Sequence, residues 1–189
     1  DRITLKRDGD DVVITYDFGR DGPVNGLDPD GDGNAPPFET RVPLSSFTSI
    51  NLDSDGGNDT VTLDFSGGDF LPDGGLRFEG DLGVDKLIVT GSSTYRIDGN
   101  TLSLTGLGTV ALDSVADLQL IGTTQADTFE VRNWAGAIAL DGQAGNDEQD
   151  DACGCHQHLC CHLRPQHRSG TQGGGTQSPQ NTQVPIIGE

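Results

Sequence analysis

The chain has 189 residues, enough for one domain with a real core or for several turns of a repeat array. Thirty acidic side chains against eleven basic ones give a formal charge of -19, which argues against a nucleic-acid partner because phosphate backbones are held by Lys and Arg. Twenty-eight Gly and 5% aromatic residues suit many short strands joined by tight turns. No apolar run is long enough to span a bilayer, and with no Met in the sequence an excised or partial piece of a longer protein is expected.

Residues 2–18, RITLKRDGDDVVITYDF, read as two alternating strands around an Asp-Gly-Asp-Asp turn, a hairpin signal. The next stretch, DPDGDGNAPPFE, places Asp28, Asp30, Asp32, Gly33 and Glu39 at the D-x-D-x-D-G-x5-E spacing of an EF-hand loop. Three alternate carboxylates can wrap one calcium ion, and Glu39 can close the site with two oxygens. The resemblance is to the loop alone: Pro36 and Pro37 stand where a second helix would begin, and no helix precedes the loop. A solvated acidic surface loop is the competing reading.

Further on, four segments share a frame: LDSDGGNDTVTL, FEGDLGVDKLIV, LIGTTQADTFEV and LDGQAGNDEQDD. In each, an apolar residue stands seven positions before an Asp (Asp59, Asp85, Asp127, Asp147), with Gly or small residues between. Apolar alternation follows the first three anchors: Val61 and Leu63, Leu87 and Val89, Phe129 and Val131. Period two puts those side chains on one face of a strand, so each unit reads strand, Gly/Asp turn, strand. The anchors are 26, 42 and 20 residues apart, which suggests units of 20 to 21 residues with one degenerate copy at 102–118. Such units bury their apolar face only by stacking, so the expected fold is all-β, a β-solenoid of parallel β-helix or β-roll type, with a β-sandwich as the alternative. No segment has a helical period.

The stretches GGND with TVTL, and DGQAGND, resemble degenerate forms of the Gly/Asp-rich nonapeptide of RTX-type calcium-binding proteins, and residues 1–147 look like the repeat regions of very large secreted or surface-attached bacterial proteins. The resemblance implies calcium between stacked turns, with Asp59, Asp85, Asp127 and Asp147 as side-chain ligands. It also implies an extracellular or cell-surface location. This chain departs from the family in spacing, since its motifs are not in immediate tandem, so isolated or partial sites are expected rather than a full calcium roll. Asp/Gly turns that bind nothing are the plain alternative. Residues 1–147 carry 26 acidic and 9 basic side chains, and each bound divalent ion would remove two units of that self-repulsion. Even sites as weak as about 10⁻⁴ to 10⁻³ M would fill in extracellular calcium.

The same residues contain no His and no Cys, which removes His-based and thiol-based nucleophilic schemes, and the chain is read as a non-enzyme. A carbohydrate-binding or carbohydrate-cleaving module acting on acidic or matrix polysaccharide is the alternative function. Trp134 would serve it by stacking on a sugar, against a core or cap role for the same residue. Asn58-Asp59-Thr60 fits a glycosylation acceptor, a pattern too common to decide anything.

After Asp147 the pattern breaks: Gln149 and Asp151 stand where apolar residues are due. Residues 148–189 hold all four Cys and four His, followed by a Gly/Gln-rich stretch. Cys153, Cys155, His156, His158, Cys160, Cys161 and His162 are enough for a zinc ion, but not at finger spacing, and disulfides are a further option. Periodicity and composition change together, which favours a shifted reading frame and a disordered tail.

Overall fold

The computed structural model describes residues 1–17 and 37–151, the last three as backbone only. The expectations for Asp28, Asp30 and Asp32 and for the Cys/His tail lie outside these residues. Among the described residues the protein is all-β, with single 3-10 turns at Leu44–Ser46 and Phe65–Gly67, and no helix is long and apolar enough to cross a membrane. The N-terminal alternation forms β1 (Arg2–Asp8) and β2 (Asp11–Asp17), paired antiparallel, and β3 (Phe38–Pro43) extends this meander.

Eleven strands follow: β4 (Ile50–Asp53), β5 (Thr60–Asp64), β6 (Leu76–Glu79), β7 (Asp85–Thr90), β8 (Thr94–Asp98), β9 (Thr101–Leu104), β10 (Gly108–Asp113), β11 (Val115–Ile121), β12 (Thr128–Arg132), β13 (Ala137–Asp141) and β14 (Glu148–Asp151). They join β1–β3 in two open, mixed, seven-stranded sheets, ordered β13-β11-β7-β5-β1-β2-β3 and β14-β12-β8-β9-β10-β6-β4. From β4 onward the chain passes repeatedly between the sheets, and strands from successive passes pair in parallel. Thr60 sits beside Lys86 and Ile50 beside Leu76, whereas Asp117 sits beside Ala137 and Thr128 beside Glu148. The register is therefore 26 residues in the first passes and 20 in the last.

The middle corrects the expected unit. Residues 94–113 form an antiparallel meander, β8-β9-β10, lying wholly within the second sheet. The 42-residue gap between Asp85 and Asp127 is thus a pass carrying an inserted hairpin rather than two 21-residue units. Both arrangements need the same period-two alternation, so the sequence pattern does not separate them. The strand pattern also runs past Asp147, because the β14 backbone pairs with β12.

One core lies between the sheets. Leu5, Val61, Leu63, Leu87, Val89 and Leu120 enter from the first sheet, and Phe78, Ile97, Leu102, Val110 and Phe129 from the second. Each fully buried aliphatic or aromatic side chain contributes about 1.5–3 kcal/mol. Tyr95 is the largest fully buried residue; its hydroxyl donates to the Ile121 carbonyl at 2.5 Å and accepts from the Ser92 N–H at 3.1 Å. Burial pushes its pKa well above the ordinary tyrosine value. Tyr95→Phe leaves the Ser92 N–H unpaired and the Ile121 carbonyl with the Gly91 N–H alone, and is expected to lower stability by about 1–3 kcal/mol, read from urea unfolding.

Candidate functional site

The Asp anchors stand where the chain changes sheet. Residues 54–59 and 80–84 turn from the second sheet to the first, while 122–127 and 142–147 turn from the first to the second. One sequence motif therefore serves two opposite corners of the stack, with the β8–β10 meander between the pairs. Asp59, Asp85 and Asp127 are buried, and Asp147, on the last pass, is exposed.

Their carboxylates join successive passes. The Asp59 N–H donates to Asp85 Oδ1 at 2.9 Å, and the Asp127 N–H to Asp147 Oδ1 at 3.1 Å. Alongside, Lys86 N–H reaches the Asp59 carbonyl and Glu148 N–H the Asp127 carbonyl, both at 2.8 Å. Asp1 extends the ladder: its amino group donates to Asp59 Oδ1 at 2.8 Å, and its carbonyl accepts from Thr60 N–H at 2.9 Å. Sequence reasoning missed Asp1 because the anchors were found by the apolar residue and Gly-rich turn ahead of each Asp. The signal was present, since DRITL has the form of DTVTL, DKLIV and DTFEV. The folded-back carboxylates also account for the Gly five positions before three anchors. A Cβ at Gly80, Gly122 or Gly142 would approach the anchor's carboxylate atoms to 2.8, 2.3 and 2.3 Å.

The two corners differ in how these carboxylates are satisfied. Thr123, four positions before Asp127, donates to it twice, from its N–H and its hydroxyl, both at 3.0 Å. At the other corner that position is Asp55 and Asp81, both in the left-handed region at φ 55° and 54°. There Asp59 Oδ2 and Asp85 Oδ2 are buried without a hydrogen-bond partner. Oxygens of Asp53, Asp55 and Asp81, all exposed, lie within 4.8 Å of one another. Oxygens on one calcium ion at about 2.3–2.6 Å are at most about 5.2 Å apart, so this trio can share an ion.

Sequence reasoning missed that trio because its members come from two passes, and only positions within one loop were compared. No ion pair reaches them among the described residues; the nearby Arg77 bridges Glu79 at 2.5 Å and Asp113 at 2.8 Å. Desolvation and the charges of Asp53, Glu79, Asp55 and Asp113 push the Asp81 carboxyl above the usual range. Burial, and then Asp147, raise Asp127 against the lowering effect of its Thr123 bonds. A carboxyl whose folded pKa is raised binds more protons folded than unfolded, so stability falls as pH climbs from the unfolded value of about 3.9 through the folded one. In chelator, Asp81→Asn should remove part of that loss, so its thermal midpoint gains on the unsubstituted chain's as pH rises through the window.

The remaining candidates are placed differently. Glu39 lies on β3 opposite Thr15, with its carboxylate 3.3 Å from Arg41 Nε. Trp134 is half-buried against the core, and its indole N–H donates to the Ala137 carbonyl at 3.1 Å, a cap position over Gly136. A cleft of about 300 Å³ is lined by Leu44, Phe47, Phe70 and Leu71 with Asp69 and Asp73, away from Trp134. Comparison with protein families, with curated proteins and with solved structures finds no match.

Proposed function

We propose that the chain is a calcium-responsive structural or adhesive spacer of a large extracellular bacterial protein, of RTX-like character and without catalysis of its own. The parallel passes are read as coils of a two-sheet β-solenoid, supported by offsets that match between the two sheets, 26 residues in the first passes and 20 in the last, and by the aspartate ladder. The observation that carries the reading is the Asp53, Asp55 and Asp81 trio, whose members converge from adjacent coils with no cationic partner among the described residues. An ion there ties one coil to the next and offsets the repulsion that raises Asp81. Asp59 and Asp85 lie behind it with one unpartnered oxygen each, while Asp127 and Asp147 act in the ladder at the opposite corner. The Asp28, Asp30, Asp32 and Glu39 loop is a second calcium candidate.

The test is thermal unfolding of the full chain in chelator and in millimolar calcium. Calcium at 100 times its dissociation constant adds about 2.7 kcal/mol per site. The expected result is a midpoint that rises with calcium, with most of the rise lost in Asp55→Asn/Asp81→Asn. A rise lost only in Asp28→Asn/Asp30→Asn/Asp32→Asn assigns the response to that loop instead. An unchanged midpoint at every calcium concentration refutes the calcium reading.

A further inference from the structure

The two ends of the stack are built differently. At one end the first sheet closes with the antiparallel meander β1–β3, and its edge strand β3 carries Glu39, Arg41 and Pro43. Charge and proline on an edge strand discourage pairing with another chain. At the other end, β13 and β14 are the last strands of the two sheets, each with one neighbour among the described residues. β13 reads AIALD, with Ala137 and Ala139 exposed, no proline and no basic side chain.

The main-chain direction of this edge follows from one bond. Gly122 N–H donates to the Asp141 carbonyl at 2.8 Å, so Asp141 faces β11. Residues alternate along a parallel strand, so the N–H and C=O groups of Ile138 and Leu140 face outward. The ladder shows what an incoming segment must bring. In each existing step an anchor's N–H or amino group meets the carboxylate of the next anchor, and its carbonyl accepts from the residue after that anchor. Asp147 is the last anchor, and among the described residues nothing stands beyond it to accept its N–H.

We propose that the outer edges of β13 and β14, which meet no further strand among the described residues, are a docking surface for one further coil of the same repeat: a strand, a Gly turn, and an Asp followed by apolar residues at the second and fourth positions after it. The constant 20-residue register of β11 to β13 and of β12 to β14 fixes how it lies. Its Asp carboxylate takes the Asp147 N–H, and its strands take the outward groups of β13 and β14, a parallel form of strand addition.

The probe is the peptide DLQLIGTTQADTFEVR, a copy of residues 117–132, added to the full chain at physiological salt with calcium present. Binding is followed by fluorescence anisotropy of labelled peptide and by amide exchange at Ile138 and Leu140. Saturable 1:1 binding is expected, with slowed exchange at both amides. The peptide carrying Asp127→Ala should bind at least about tenfold more weakly, the loss of one charge-assisted hydrogen bond. Equal binding of a scrambled peptide, or no change at those two amides, overturns the proposal. So does strong protection of both amides before peptide is added, because the edge would then already be covered.

Discussion

Gly83→Ala is expected to cost more than about 4 kcal/mol, beyond the range of ordinary point substitutions. Gly83 has φ 148°, and a Cβ there would stand 1.4 Å from the Gly57 carbonyl oxygen and 3.2 Å from Asn58 Oδ1. Those atoms belong to the preceding turn, which is stitched to this one by Gly57 N–H to the Leu82 carbonyl at 2.8 Å and Val84 N–H to Asn58 Oδ1 at 2.9 Å. The overlap is with backbone, so no rotamer relieves it and the two turns must part. Gly99→Ala is the control: φ is 55° and nothing lies within 4 Å, leaving only the left-handed penalty of about 1–2 kcal/mol. Urea unfolding of both variants separates the clash from the strain, and equal losses would sink the argument that coil spacing is set here.

The second large effect is Phe129→Ala, expected to cost about 3–5 kcal/mol. Phe129 is fully buried on β12, in register with Tyr95 on β8, and the rings stack with centroids 5.2 Å apart at 1°. Its removal opens a cavity among residues held by parallel strands on both sides, where collapse is restricted. Against a total of about 5–15 kcal/mol for a domain, the variant sits near its unfolding threshold. A double-mutant cycle with Tyr95→Ala should return about 0.5–1.5 kcal/mol for the ring pair itself. A coupling near zero would show that the two aromatics act only as separate fillers.

Much of the fold is written in alternation. The β1–β2 hairpin and the inward set Val61, Leu63, Leu87, Val89, Phe129 and Val131 follow from period two alone. Which sheet a strand joins does not, because an antiparallel return and a crossing to the facing sheet bury the same side of the chain. The reading of 102–118 as a degenerate unit fails for that reason, because β9 and β10 belong to the β8–β10 meander. The anchors were legible as positions but not as buried acceptors: Asp is ordinarily a solvated turn former, and only stacking supplies the N–H that lets Asp85 lie at 0% exposure. The acidic trio was hidden by distance, since Asp53 and Asp81 are far apart in the chain and meet only once Leu52 lies beside Phe78.

The ladder also limits how this sequence can change length. At each corner one anchor meets the next through a backbone N–H and a carboxylate, so loss or duplication of a whole round trip keeps the turns in line, whereas loss of half a trip moves the acidic turn to the opposite corner. Deleting residues 122–141, for example, joins β11 directly to the turn at 142–147 and places Asp147 where Asp127 had been. Steps of 26 residues in the first passes and 20 in the last therefore keep the ladder in line, and the β8–β10 meander lies between the acidic turns of one corner and those of the other.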